Sequence, residues 1–185
     1  NGASFPDEVV TIERREWGNF YGFLIDLFEN DIRFDELDKA DGAELDLWSE
    51  FSSRVQRAVI IYDDISKIET ERIDEVNYEF ERLRLLERKL EINNELDPMM
   101  IRSLEEDRAK LNEVYSKLQQ ELSVLYSEVK RDRAVFVTAD GIEKSIELSE
   151  VVRTYRANSL NLFEKLLIYF SKVYEFLTAE PREAN

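Results

Sequence analysis

Four acids, Asp31, Asp35, Asp38 and Asp41, stand just ahead of Gly42. Carboxylates clustered before a glycine are how a calcium loop is built, because a hard cation takes oxygen ligands and the glycine makes the turn. An EF-hand loop places its acids at alternate positions and closes with a glutamate, and this spacing does neither. Residues 29–45 therefore read as an acidic, solvated loop whose acids cap neighbouring elements. Carboxylate pairs occur throughout a chain with 41 acids, but a hydrolytic pair must face across a cleft, and nothing singles one out. Serines occur without any histidine to activate them. There is also no cysteine, so thiol catalysis, disulfides and the usual zinc sites are excluded. None of the five glycines lies in a phosphate-cradling loop. The expectation is a protein that is not an enzyme and uses no metal or cofactor. Trp17 and Trp48 read as core anchors.

The elements follow from composition and periodicity. Five Gly and three Pro in 185 residues favour long helices over a loop-rich β fold. With 25 basic residues against 41 acids the net charge is −16, which repels a phosphate backbone and disfavours nucleic acid and anionic membrane surfaces. No run approaches the ~18 apolar residues of a membrane span. The fold class expected is α+β, mostly α, as a single domain over 1–185. A small antiparallel sheet lobe comes from 5–45 and 132–185. A long antiparallel helical hairpin, a coiled coil, spans 46–131, and an amphipathic helix closes the chain.

In the lobe, Val9-Val10-Thr11-Ile12 is a β-branched run. Tyr21, Phe23, Ile25 and Leu27 alternate with Phe20, Leu24 and Phe28, so a strand covered on both sides is predicted. Gly18 and Gly22 mark bends or close backbone approach. Further on, Asp140-Gly141 is read as a two-residue hairpin turn that sets Val135 opposite Ile146. A helix is predicted over 159–177, with an apolar face too broad to stand bare. Phe163, Leu167, Phe170 and Tyr174 lie on its stripe.

The hairpin carries the strongest pattern. Ile101, Leu104, Leu111, Tyr115, Leu118, Leu122, Leu125 and Val129 recur at alternating spacings of three and four, broken only by Arg108. A less regular stripe runs through Ile65, Ile73, Val76, Phe80, Leu83, Leu86 and Leu90. Between them Asp97 is a helix cap and Pro98 suits the first turn. Folding there pairs Leu90 with Leu104, Leu83 with Leu111, Val76 with Leu118 and Ile65 with Val129. The numbers in each pair add to one constant total, as an antiparallel seam requires. A parallel coiled coil between chains is the alternative, against which the central turn argues.

Three segments carry a resemblance. They are Glu13-Arg14-Arg15-Glu16-Trp17-Gly18-Asn19-Phe20-Tyr21-Gly22-Phe23-Leu24, then Glu150-Val151-Val152-Arg153-Thr154-Tyr155-Arg156-Ala157-Asn158, then Tyr174-Glu175-Phe176-Leu177 running into Glu180-Pro181-Arg182-Glu183-Ala184-Asn185. In this order, with a charged helical stretch between the first two, the chain resembles the large-insert form of the bacterial phosphate ABC transporter permease. Trp17, Gly18, Asn19, Tyr21, Gly22, Arg153, Tyr155, Arg156, Glu180, Pro181 and Arg182 are the motif positions.

The resemblance implies an extracytoplasmic insert between the first and second transmembrane helices of a cytoplasmic (inner) membrane protein. The chain itself is then soluble, with a docking, assembly or sensing role accessory to phosphate import. It implies that Asn185 lies just before the second span. It further implies that β-rich sequence preceding Phe5-Pro6 in similar permeases is missing here, leaving a sheet edge open. The implied partners are the other permease subunit and the periplasmic phosphate-binding protein, with a homo-oligomer expected in isolation. Arg14, Arg15, Arg153 and Arg156 are expected to pair with acids rather than hold phosphate. The helix over 159–177 is expected along the outer membrane–water boundary, part of its apolar face covered by the lobe. The rival is a free-standing coiled-coil scaffold or chaperone-like module. A prefoldin-like chaperone sets β-hairpins between its long helices, whereas here the helices join directly.

Overall fold

A computed structural model describes residues 8–15, 18–34, 46–93 and 97–178. Across them the chain is mostly helical with an antiparallel sheet, an α+β architecture. It divides into two compact units. One takes residues up to Val55 and from Arg133 onward, the other Gln56–Asp132. The expected arm, 46–131, thus loses its first residues to the sheet unit. The reason is Phe51, fully buried, whose ring meets Phe136 edge-on at 5.6 Å.

The sheet unit begins with β1 (Val10–Arg14) and β2 (Asn19–Glu29), antiparallel with Val10 opposite Gly22 and Glu13 opposite Asn19. Gly18, at φ +113°, precedes β2. β3 (Ile32–Arg33) folds back on β2 through Asn30 and Asp31, both at positive φ. Two such central residues make the primed turn that matches strand twist. The start of the expected acidic loop is therefore a tight hairpin. Asp35, Asp38, Asp41 and Gly42 lie outside the described residues.

The remaining strands are β4 (Asp132–Val137), β5 (Glu143–Glu147) and, after a 3-10 turn over Leu148–Glu150, β6 (Val151–Arg156). The order is β5-β4-β2-β1-β6, with β3 beside β2. The β4–β5 register corrects the expected one, since Ala134, not Val135, faces Ile146. The loop has three residues rather than two. Gly141 N–H donates to Thr138 C=O at 2.9 Å, Gly141 sits at φ +80°, and Thr138 N–H then donates to Ile142 C=O. This is the three-residue loop in which a left-handed glycine closes a turn, and the extra residue shifts every pair by one.

β2 is less evenly covered than its alternation predicts. Leu27 is fully buried, but Tyr21 and Ile25 on the same face are exposed. Gly22 marks close approach: a Cβ there would stand 3.0 Å from the Val137 carbonyl oxygen and 2.9 Å from the Phe20 ring.

The helical unit is built from α1 (Leu47–Lys67) beyond Val55, a π-helical segment over Ile68–Arg72, α2 (Ile73–Ile92) and α3 (Pro98–Val129). The π segment explains the irregular stripe. Ile61, Ile65 and Ile68 are buried at spacings of four and three, but the next stripe residue is Ile73, five away. An α-helix would put that extra residue off the face, and one wide turn restores it. Asp97 caps α3, its side chain accepting from Met100 N–H at 2.8 Å, with Pro98 in the first turn.

α2 and α3 run antiparallel in contact. Arg108 pairs with Glu87 at 2.8 Å and Arg72 with Glu121 at 2.9 Å. Tyr126 donates to Glu69 at 2.8 Å and meets Tyr62 edge-on. Along these helices Ile65, Val76, Leu90, Leu104, Leu118 and Val129 are buried, while Leu83 and Leu111 are half-buried. Leu86, Ile101 and Tyr115, on the predicted stripes, are exposed.

Candidate interaction surface

The final helix, α4 (Leu162–Thr178), starts later than predicted because Asn161 caps it. Asn161 Oδ1 accepts from Glu164 N–H at 2.9 Å, and Glu164 Oε2 accepts from Asn161 N–H at 2.8 Å. This reciprocal box satisfies two donors that a helix start would leave bare.

α4 meets the sheet through polar groups. Lys172 Nζ lies 2.7 Å from Glu13 Oε1 on β1 and 3.5 Å from the Tyr155 hydroxyl on β6. Tyr155 O–H donates to Glu13 at 3.2 Å. Arg153 reaches Glu13 at 3.5 Å with one nitrogen and Ser171 Oγ at 3.2 Å with the other. Hydrogen bonding to Glu13 raises the Lys172 pKa, so its ammonium is held charged. Burial, then the Glu13 charge, raises that of Tyr155, so its phenol stays a donor. Lys172 and Arg153 fasten the helix to the strands, and Tyr155 ties β6 to β1.

The β1–β6 pairing makes this cluster. Its register sets Glu13 opposite Arg153 and Thr11 opposite Tyr155. The same edge carries Arg14 to Glu150 at 2.5 Å and Arg15 to the Ser149 carbonyl at 3.0 Å. Arg156 stacks over Trp48 at 4.4 Å. Of the motif positions, Arg153 and Tyr155 come together on Glu13, and Gly18, Asn19, Tyr21 and Gly22 lie at or on β2, the neighbouring strand. Tyr21 is exposed, and Asn19 donates to its hydroxyl at 3.4 Å. Trp17, Glu180, Pro181 and Arg182 lie outside the described residues.

Much of the apolar side of α4 is exposed. Phe163, Leu167, Phe170 and Tyr174 are 67%, 54%, 62% and 69% exposed. Among the helix's described side chains only Ile168 is less than exposed, and it lies on the flank of Ser171 and Lys172.

Glu13 stands in the sequence only as the first residue of the first segment of resemblance, and Ser171 was not singled out. Ser171 and Lys172 interrupt the apolar pattern of α4. Elsewhere in the unit, Arg54 is 5% exposed and pairs with Glu50 at 2.7 Å and Glu29 at 3.1 Å. Among the described residues no group of acids is placed to hold a metal, and no helix is long and apolar enough to cross a membrane. The chain matches no family model, no curated protein and no solved structure.

Proposed function

We propose that this chain is an extracytoplasmic domain of a bacterial phosphate ABC transporter permease, accessory to phosphate import. The observation that supports this most is the meeting of two segments distant in the sequence. Glu13, Arg14 and Arg15, from the first segment of resemblance, contact Arg153, Tyr155 and Glu150 of the second, or the backbone beside it. A motif split between two segments makes physical sense when its halves build one surface. Arg14 and Arg153 are engaged by Glu150 and Glu13, so phosphate handling is assigned to no residue here. The role is docking, assembly or sensing, with the other permease subunit and the periplasmic binding protein as partners. The helical arm is read as an antiparallel coiled coil on the strength of its apolar spacing and cross-helix ion pairs.

The test is phosphate uptake at low external phosphate by cells lacking the encoding gene. The proposal expects high-affinity uptake to fall and to return with the wild-type gene. Unchanged uptake, in cells with no second phosphate importer, contradicts it. A free-standing coiled-coil scaffold is the second reading, favoured by the length of α3 alone. Fractionation separates the two, since a permease stays with the membrane after alkaline washing and a scaffold does not.

A further inference from the structure

β6 sends consecutive side chains to opposite sides of the sheet. Arg156 stacks on Trp48 of α1, and Tyr155 meets Lys172 of α4. The start of α1 and the whole of α4 therefore lie on opposite faces, and different forces seat them. α1 is sunk into its face through Phe51 and Val55, both buried. Along α4 every described side chain but that of Ile168 is exposed, so burial adds little to its seat. The contacts that join α4 to β1 and β6 converge on one carboxylate. Glu13, 15% exposed, pairs with Lys172 of the helix, and Arg153 and Tyr155 of β6 stand beside it. Arg153 in turn reaches Ser171.

We propose that α4 is a releasable strap, latched over the face of β1 and β6 away from α1 by the charge on Glu13 and freed when that charge is screened. The strap has a pivot and keeps its own start. Residues 157–161 join β6 to α4 through a turn in which Ser159 N–H donates to the Arg156 carbonyl at 3.1 Å. The Asn161–Glu164 box caps α4 without help from the sheet, so the first turn survives release. Ions can reach the latch because the Lys172 side chain is 43% exposed. An apolar seat would not weaken with salt in this way. Release uncovers Glu13, Arg153 and Tyr155 together, a carboxylate between a guanidinium and a phenol.

Phosphate uptake tests the permease assignment separately and does not bear on the latch. Nitroxides are attached to Ile142→Cys and Phe170→Cys in the 185-residue chain, which has no native cysteine. Both positions are exposed. Dipolar spectroscopy reads the distance between the labels in this parent and with Glu13→Gln, Lys172→Met or Lys110→Met added. Lys110 pairs with Asp107 on the helical unit, so its loss removes an equal charge away from the latch. Urea transitions confirm that each variant folds. At low salt the parent and Lys110→Met should give one narrow distance, and Glu13→Gln and Lys172→Met a broad spread. Sodium chloride at about 1 M, where the screening length falls to roughly 3 Å, should broaden the parent as the two latch variants do. Lys172→Met leaves the sheet residues intact and the salt series needs no latch variant, so a Glu13→Gln that fails to fold leaves the test standing. The proposal is overturned by a broad parent or a broad Lys110→Met at low salt, by a narrow distance in either folded latch variant, or by a parent that salt does not move.

Discussion

Arg108 and Glu87 meet across the helical arm at 2.8 Å, and Arg108 occupies the one charged position in the apolar series of α3. Both side chains are partly exposed, 44% and 35%, so the pair contributes at most about 1 kcal/mol. Its main effect is on register, because only the antiparallel alignment brings these charges together. Glu87→Arg should cost about 0.5–1 kcal/mol, and Glu87→Arg with Arg108→Glu should recover most of it. A double-mutant cycle by urea denaturation measures the coupling. Coupling of zero would remove Arg108–Glu87 from the forces that set the alignment.

The apolar seam should weigh far more. Leu118 is 2% exposed and Val124, on the same helix, 59%. Leu118→Ala should destabilise the helical unit by about 2–5 kcal/mol, while Val124→Ala should stay within about 0.5 kcal/mol. Thermal melts of the helical signal check both. Equal losses would mean that α3 is not buried along the Leu104–Leu118–Val129 side.

Capping sets the turn of the arm. Removing the Asp97 carboxylate leaves Met100 N–H without its 2.8 Å acceptor. Asp97→Ala should cost about 0.5–2 kcal/mol, and Asp97→Asn or Asp97→Ser much less. The comparison in denaturant isolates the cap, because all three variants lose the same charge.

The β4–β5 loop makes a backbone prediction. Gly141 sits at φ +80° with open space where a Cβ would be. Gly141→Ala should therefore cost about 1 kcal/mol of conformational strain, with Gly141→Asn less costly. Gly22→Ala should cost more than Gly141→Ala, because its Cβ would press on the Val137 carbonyl oxygen and the Phe20 ring rather than meet open space. Amide exchange in β4 and β5 reads the first variant, and global stability the second.

An alkaline step belongs to the helical unit. The hydrogen bond to Glu69 pushes the Tyr126 phenol up to about 12. An unfolded tyrosine titrates near 10, so the folded state favours the protonated phenol. That contribution is complete below pH ~10 and is lost as pH rises through about 12. Tyr126→Phe should lower stability relative to wild type at neutral pH, and the difference should shrink above pH ~10. A gap unchanged across that window would show that the Tyr126–Glu69 bond is not formed in solution.

What the sequence reveals is what repeats locally. The three-and-four spacing of α3 and the Asp97-Pro98 start are local signals, and both helix and cap are found there. The stripe's irregularity was visible as the eight-residue step from Ile65 to Ile73, which passes over the buried Ile68. Its meaning as a π turn depends on which residues face α3, which no single helix reveals. The β4–β5 hairpin was legible to within one residue, because Asp140-Gly141 signals a turn without stating whether Gly141 closes a two- or three-residue loop. The Glu13 cluster was not legible. Its members come from β1, β6 and α4, and only the pairing of Glu13 with Arg153 brings them together. The direction of α4 was hidden for the same reason: an apolar stripe predicts a partner, not which side faces the sheet.

The most direct test of how α4 meets the sheet uses the absence of native cysteine. A nitroxide is attached to Phe170→Cys, 62% exposed in the native chain, and separately to Ile168→Cys on the flank of Ser171 and Lys172. Relaxation by a water-soluble nickel chelate is then measured in dilute solution. The account predicts that the label at position 170 is open to nickel and the label at position 168 shielded. Equal nickel accessibility at both positions would contradict it.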